Sequence, residues 1–522
     1  MGWRRGRKGK SRQGGYRAAI PPAAYIELRS HLAQIDDLGR ARAVLSWDER
    51  TMMPPGGAPG RAEQLATLSG LLHERLVSDD LARLLDQLRP YEETLPYDSD
   101  EASMIRITRR EHQRAQRVPS ELKVEMARAG SIAEHAWKEA RKQSDFEVLL
   151  PHLGKIVELK RRYVECFDDA GHPYEPLLDD FEPGMTLVET ERLIGALKTS
   201  IVPLATAIAE RADTVDDSCL HGRFPAATQR SLAISMLCDL PIEADFFRLD
   251  ESAHPFATSF SNTDVRIATR YSEDYLAGSL FSTLHEFGHA LYDSGVSAAL
   301  ERSALGRPAS LGVHESQSRI WENFIGRSLP FWQHFYPRVQ DTFPDHFGGV
   351  DLEHFHRAVN KVQRSLIRTE ADEFTYNLHV ILRYELEREI LEGSLTLVDL
   401  PEAWKARVKS YLDLDVPSDS QGVLQDVHWA EGAFGYFPTY SFGNIIAGQI
   451  WEVLRRSLVD LDDQIARGDF SQLREWLREH VHRHGRKFTS AEMIQRLVGG
   501  PIDVDPYIRY LRAKAEELYG LS

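Results

Sequence analysis

Apolar residues recur at helical spacing along most of the 522-residue chain. From about Tyr25 to Tyr163 they fall three and four positions apart, which is typical of amphipathic helices packed on a core. A Pro-Pro-Gly-Gly sequence at residues 54–57 interrupts this pattern and predicts a turn between helices. Helical periodicity dominates again from Glu315 to the C-terminus. Before that point, further helical segments are Ala62–Arg75, Ser120–Lys142, Leu187–Arg211 and Ala226–Cys238.

One segment shows the alternation of a β-strand instead. In Asp264–Tyr271, the residues Val265, Ile267, Thr269 and Tyr271 alternate with polar or small residues. This is the clearest strand in the chain, and it lies just before another helical segment. We therefore predict a mainly α fold, a single large helical body with a small β-sheet.

The helix predicted after this strand contains His-Glu-Phe-Gly-His at residues 285–289. In a helix, His285 and His289 lie about 40° apart, so both imidazoles can reach one metal ion. Glu286 beside them can act as a general base toward water. The opposite side of the helix is apolar and contains Leu276, Leu280, Phe287 and Leu291. These residues are the minimal equipment of a zinc-dependent peptidase.

A catalytic zinc ion usually has three protein ligands, so a third ligand is required. The metzincin arrangement needs Gly at 292 and His at 295, but this chain has Tyr and Gly there, which excludes that class. A carboxylate from a following helix is the remaining common solution. Glu315 lies far enough beyond His289 for a loop and a returning helix, whereas Glu301 follows too closely. Glu322, two helical turns further along, is the alternative to Glu315.

Composition and charge limit the partners and the compartment that can be expected. The chain is 42% hydrophobic and 27% charged, which is ordinary for a globular protein. A net charge of −16 argues against nucleic acid as a partner, because phosphate binding requires a basic surface. No run approaches the roughly 18 apolar residues of a membrane span. The three cysteines are odd in number and lack metal-ligand spacing, which favours a reducing compartment and predicts a cytoplasmic protein.

The first 24 residues differ from the rest of the chain. They are basic and rich in Gly and Ser up to Arg17, and no hydrophobic segment follows, so they do not form a secretory signal. We predict a disordered basic tail over residues 1–24. A nucleic-acid-binding arm is the alternative interpretation.

Several motifs occur in order along the chain. They are Ser46-Trp47-Asp48 with Met53-Pro54, His254-Pro255-Phe256, Asp264-Val265-Arg266-Ile267, the HEFGH sequence, His314-Glu315-Ser316-Gln317, Ile367-Arg368-Thr369-Glu370-Ala371-Asp372 and Gly422-Val423-Leu424-Gln425-Asp426-Val427-His428-Trp429. With this set, the chain resembles the M32 family of metallocarboxypeptidases, the carboxypeptidase Taq type, over residues 25–522. One position departs from the family's D-x-R-x-T pattern, since Ala268 replaces its Thr. The metal ligands are untouched, so we expect activity to survive.

The resemblance implies roles for the metal-site residues. It assigns His285, His289 and Glu315 as ligands of one divalent metal per chain, and Glu286 as the general base. Zinc is the expected metal for such a site, and cobalt or manganese would fit the same ligands. The resemblance also implies a homodimer and two helical lobes around a deep groove.

Five further residues are candidates for catalysis or substrate binding. His428 and Tyr440 are candidate donors to the oxyanion, although Tyr440 could instead be an aromatic core residue. Arg368 is the first choice for binding the terminal carboxylate of a peptide, and Arg266 is the second. Gln425 is expected to help position the same carboxylate. Each arginine also has an acidic neighbour in sequence, so either could form a structural ion pair.

The sequence thus predicts a metal-dependent carboxypeptidase that releases single C-terminal residues from peptides. Pairing of the substrate with the edge of the strand Asp264–Tyr271 would give broad specificity and would disfavour proline, which has no N–H to donate. One alternative is an endo-acting oligopeptidase or a dipeptidyl carboxypeptidase on a similar scaffold. The other is a catalytically silent helical scaffold that binds peptides.

Overall fold

A computed structural model describes residues 21–521 of the protein. Most of the predicted basic tail, residues 1–20, lies outside the described residues. The first helix begins at Ala23, just inside the segment predicted as a tail. The described chain is mainly helical with one small sheet, so the predicted fold class is confirmed.

The four helical segments that the sequence analysis names individually are all present as helices before the sheet. They are α1 (Ala23–Thr51), α2 (Ala58–Leu76), α3 (Asp79–Gln87), α4 (Arg89–Glu92), α5 (Asp100–Arg117), α6 (Ser120–Gln143), α7 (Leu150–Val164), α8 (Glu175–Asp179), α9 (Leu187–Ala209) and α10 (Ala226–Asp239). Pro119 precedes α6 and Pro225 precedes α10, at positions where a helix needs no N–H donor. The turn predicted at residues 54–57 is present between α1 and α2.

The helices after the sheet build the rest of the body. They are α11 (Leu276–Gly295), α12 (Leu311–Arg319), α13 (Leu329–Thr342), α14 (Pro344–Phe347), α15 (Leu352–Val359), α16 (Tyr376–Glu392), α17 (Leu400–Leu412), α18 (Pro438–Ser457), α19 (Leu461–Ala466), α20 (Ser471–His480), α21 (Ser490–Val498) and α22 (Asp505–Tyr519). A π-helical segment, Ile320–Ile325, continues α12 without a break.

The sheet has three strands, β1 (Phe247–Glu251), β2 (Phe256–Ser261) and β3 (Asp264–Thr269). Its order is β1-β3-β2, with β1 parallel and β2 antiparallel to β3. The predicted strand is therefore present as β3. The prediction that its edge could pair with a peptide is wrong, because β3 is hydrogen-bonded on both sides.

The two faces of β3 have different partners. Val265 and Ile267 are buried on the face toward α11, where the Thr269 hydroxyl also contacts that of Ser282 at 2.6 Å. On the opposite face, the guanidinium of Arg266 lies 5.1 Å from the ring of Trp47 on α1. The sheet is thus held between α1 and the helix that carries the HEFGH sequence.

A single apolar core runs through the described residues from Tyr25 to Tyr519. The helix α9 is an exception to the expectation that no segment resembles a membrane span, since a window of 18 of its 23 residues reaches a mean hydropathy of 1.3. Its side chains from Thr190 to Ile208 include seven that are buried in the protein. A helix in the core of a protein can be as long and as apolar as a membrane-spanning helix.

Candidate metal centre

The two histidines lie on α11, whose apolar side is buried as predicted. The HEFGH side of this helix is covered as well, because α12 packs against it, and Glu286 is only 6% exposed. Gly288 makes this approach possible, since a Cβ at that position would lie 2.6 Å from the Cα of Ser318. The Gly of the HEFGH sequence therefore serves helix packing, while its polar residues face the site.

The third candidate ligand, Glu315, lies on α12 as the spacing suggested. The side chain of Ser310 caps this helix by accepting a hydrogen bond from the N–H of Val313 at 3.0 Å. Glu315 is 5% exposed, and it packs against α18 at Gly443. A Cβ at Gly443 would lie 2.6 Å from that of Glu315, so this glycine leaves room for the carboxylate side chain.

The three candidate ligands converge on one point. The Nε2 atoms of His285 and His289 lie 3.6 and 3.5 Å from Oε2 of Glu315. Ligand atoms at about 2.1 Å from a tetrahedral metal are about 3.4 Å apart, so the observed spacing fits such an ion. Two neutral imidazoles and one carboxylate are also a donor set suited to a divalent metal.

Polar neighbours connect two of these ligands outside the centre itself. Nδ1 of His285 lies 2.8 Å from the carboxylate of Glu322, which is on the π-helical segment. Arg319 donates to Glu315 at 2.7 Å and to Glu322 at 3.0 Å. A proton on Nδ1 of His285 leaves its Nε2 lone pair for a metal. The alternative ligand Glu322 thus orients His285.

Charges around the site set the protonation of its carboxyl groups. Burial alone would raise the pKa of Glu315, but Arg319 and His285 hold that pKa well below its usual range. Burial raises the pKa of Glu286 to about 7, a change that His285 opposes and Glu315 reinforces. A carboxylate with a pKa near neutrality suits a general base.

Arg368 lies in a buried polar cluster beside this centre. It is 4% exposed and begins a short 3-10 turn in a loop, so Asp372 is not one helical turn away as the sequence suggested. Asp372 instead accepts hydrogen bonds from the N–H groups of Gln363 and Phe374. Arg368 pairs with Asp426 at 2.8 Å.

The same carboxylate is shared with a second arginine. Arg383 donates to Asp426 at 2.6 Å, so two guanidinium groups surround one carboxylate and leave a surplus positive charge. Oε1 of Gln425 accepts hydrogen bonds from Arg383 and from the N–H of Arg368. Its amide group donates to two backbone carbonyls. Gln425 therefore fixes the loop that carries Arg368.

Tyr440 and His428 lie next to Arg368. The guanidinium of Arg368 is 5.0 Å from the ring of Tyr440, and the ring centroids of Tyr440 and His428 are 6.4 Å apart. Burial raises the pKa of Tyr440 well above its usual value and lowers that of His428 to about 3. At neutral pH both groups are uncharged and carry a proton that can be donated. Tyr436, which the sequence did not single out, packs 5.2 Å from Tyr440.

The remaining predicted site residue, Arg266, has the contacts of a structural ion pair. Its guanidinium donates to Asp264 at 2.7 Å and lies 5.1 Å from the rings of both Trp47 and Phe260. Sequence reasoning also missed Arg319 and Arg383. The position of Arg319, four residues after Glu315 on a predicted helix, was a usable signal for the first of these.

Known proteins match nearly the whole chain. The family described as carboxypeptidase Taq (M32) metallopeptidase matches residues 27–515. Thermostable carboxypeptidase 1 of Thermus thermophilus is 40% identical over 512 residues, which cover 96% of this chain and 100% of the relative. Carboxypeptidase 1 of Bacillus subtilis is 37% identical, covering 94% and 97%. The crystal structure of an M32 carboxypeptidase from Deinococcus radiodurans has a TM-score of 0.92 at 40% identity, covering 96% and 100%.

These matches, together with the converging histidines and glutamate, define a metallopeptidase, an enzyme that hydrolyses peptide bonds with a bound metal ion. Within that class, the chain belongs to the M32 family of metallocarboxypeptidases. The resemblance stated from the sequence motifs is confirmed.

Proposed function

We propose that this enzyme removes single C-terminal residues from peptides, with zinc at His285, His289 and Glu315. The observation that supports it best is the position of the buried Arg368 cluster beside the candidate metal centre. The two sites are joined by α18, whose first turn carries Tyr440 next to Arg368 and which contacts Glu315 about one turn later at Gly443. If the terminal carboxylate of a peptide bound at the surplus positive charge of Arg368 and Arg383, the last peptide bond would lie near the candidate metal ligands.

The protein groups then have distinct tasks. A bound zinc ion would acidify water and polarise the scissile carbonyl. Glu286, with its raised pKa, accepts the proton of the attacking water and returns it to the departing amine. His428 and Tyr440 keep their protons and donate to the oxyanion. Arg368 holds the terminal carboxylate, which fixes the position of cleavage.

We also propose broad specificity with proline disfavoured. The substrate would pair with β2 and not with β3, the strand predicted from the sequence. The outer strands of the sheet are β1 and β2, since β3 is paired on both sides, and β2 packs against α11. The carbonyl of Ser259 on β2 already accepts from Arg40 at 2.7 Å. A substrate could pair with the part of β2 before Ser259 through backbone groups. Equal release of C-terminal proline and alanine from matched peptides would contradict this.

The test of the proposed function compares one peptide as its free acid and as its C-terminal amide, with metal analysis of the enzyme. We expect the free acid to lose one residue at a time and the amide to resist. Equal cleavage of both would favour an endo-acting peptidase. Glu286→Gln should retain the metal and lose hydrolysis, and a metal-loaded Glu286→Gln that matched the wild type would remove Glu286 as the base. Hydrolysis by neither protein would favour a silent peptide-binding scaffold.

A further inference from the structure

A separate cavity lies between α6, α7 and the loop that precedes α18. Its volume is about 140 Å³. The residues that matter in its wall are Met126, Ile156, Leu159, Lys160, Glu431 and Gly432. None of them is a candidate metal ligand or a residue of the Arg368 cluster. The cavity is therefore separate from the candidate active site.

Opposite charges face this cavity without pairing. Lys160 is half-buried on α7, and Glu431 lies at the exposed mouth. Among residues 21–521, neither side chain has an ion-pair partner within 4.0 Å, and they do not pair with each other. Burial lowers the pKa of the Lys160 amine and raises the pKa of Glu431. Asp180 and Glu387 act on the Lys160 amine, and Arg50 and Lys138 act on the Glu431 carboxylate, but only from beyond ion-pairing distance. A ligand of matching charge would give each group a direct partner.

The rest of the wall is apolar. Ile156 and Leu159 are 3% and 1% exposed and form the floor. An aliphatic cavity of about 150 Å³ can accept a molecule the size of benzene. A branched aliphatic side chain would therefore fit, while charged groups of the same ligand remained near the mouth.

We propose that this cavity binds a free α-amino acid with an aliphatic side chain. Its carboxylate would lie at Lys160 and its ammonium group at Glu431, with the side chain against Ile156 and Leu159. A zwitterion matches two opposite charges that are close to one cavity but too far apart to pair. Such amino acids are products of the proposed peptidase, so a regulatory role of the site depends on that function. The binding itself does not.

The cavity also touches the loop that holds His428. Gly432 has a positive φ of 79°, and a Cβ at this position would lie 3.2 Å from Cε of Lys160. The next residue, Ala433, donates its N–H to the carbonyl of His428 at 2.7 Å. A ligand at Lys160 would therefore press on the turn that fixes His428. We expect L-leucine to lower kcat while leaving KM unchanged.

The direct test is calorimetric titration of the metal-loaded protein with L-leucine. Lys160→Met and Glu431→Gln should each weaken the binding by roughly tenfold or more, because each removes a charge-assisted contact. Lys123→Met is the matched control, since Lys123 also lies near the ring of Tyr163 but does not line the cavity. N-acetyl-L-leucine, which lacks the ammonium group, should bind as weakly to the wild type as leucine binds to Glu431→Gln.

The two proposals fail in different ways. Leucine binding that is unchanged by both Lys160→Met and Glu431→Gln would overturn the amino-acid site, whatever the peptidase activity. Lys160-dependent binding in a protein that hydrolyses no peptide would support the site and reject the proposed function. Inhibition by leucine that persists in Lys160→Met would show that the product acts at the active site alone and would overturn the regulatory role.

Discussion

At the scale of single residues, the candidate metal centre depends on groups outside the set of candidate ligands. Arg319 donates hydrogen bonds to Glu315 and Glu322, and Glu322 contacts His285, so two of the three candidate ligands belong to one chain of polar contacts. Such neighbours orient ligands and select the tautomer of a histidine.

Replacing Glu322 should weaken metal binding without removing a ligand. We expect Glu322→Gln to reduce zinc affinity roughly 10–100-fold, because the amide no longer provides a charged acceptor for Nδ1 of His285. Competition with a fluorescent chelator measures the affinity. The control is Glu353→Gln on α15, an exposed glutamate that should leave affinity unchanged. An unchanged zinc affinity in Glu322→Gln would show that contacts other than that with Glu322 fix the tautomer of His285.

Ala268, the departure from the family motif, lies beside an unpaired polar atom. It pairs in register with Asp250 on β1, whose Oδ2 is buried without a hydrogen-bond donor among the described residues. Oδ1 of the same carboxylate accepts from Arg248 at 2.8 Å. We expect Ala268→Thr to raise the free energy of unfolding by about 1 kcal/mol through a new hydrogen bond.

The matched control for this prediction is Ala268→Val, which has the shape of Thr without the hydroxyl. Urea denaturation of both variants separates the hydrogen bond from the effect of size. If valine stabilised the protein as much as threonine, the effect would come from strand packing alone.

At the scale of elements, the site is assembled from three helices that meet through glycines. Gly288 on α11 admits α12, and Gly443 on α18 admits the side chain of Glu315. Close helix contact places ligands from separate helices at one point, because no Cβ stands between the backbones.

A methyl group at Gly443 should therefore disturb the centre. We expect Gly443→Ala to destabilise the protein by about 1–3 kcal/mol through overpacking and to reduce zinc binding. Gly195→Ala in the middle of α9 is the control, since a Cβ there meets nothing within 4 Å. That change should stabilise the protein by about 0.5–1 kcal/mol, because alanine favours a helix. Thermal unfolding and zinc titration of the pair distinguish local overpacking from a general effect of alanine.

At the scale of the whole molecule, buried carboxyl groups join distant parts of the chain. Glu387 on α16 accepts hydrogen bonds from the Tyr174 hydroxyl at 2.9 Å and from the N–H of Gly435 at 2.8 Å. It thereby anchors the segment between His428 and Tyr440 to the body. Burial raises the pKa of Glu387 to about 8.

This raised pKa makes stability depend on pH. A carboxyl whose folded-state pKa exceeds its unfolded value stabilises the fold at low pH and loses that contribution as pH rises toward 8. We expect the Glu387 contribution to fall by roughly 4 kcal/mol between about pH 4.5 and 8. Glu387→Gln keeps a hydrogen-bonding side chain without the charge and should flatten this part of the curve. Urea denaturation across that pH range would contradict the prediction if wild type and variant changed in parallel.

The sequence by itself determined the helical body and the class of enzyme, and it predicted the types of residue in the candidate metal site. Helical periodicity is a local property, so α6, α9 and α10 could be predicted nearly to their ends. The HEFGH spacing likewise follows from the helix period alone. By contrast, β1 and β2 are too short and too irregular in pattern to stand out, and their pairing with β3 depends on contacts between separate strands.

Only the tertiary structure decided between the remaining candidates. Asp426, not Asp372, is the ion-pair partner of Arg368, because the segment around Arg368 is a loop and Asp426 lies 58 residues further along the chain. The same holds for Glu322, whose π-helical segment directs it to His285 and not to the set of ligand atoms. Partners of buried charges are selected by three-dimensional proximity and desolvation, which sequence spacing does not encode.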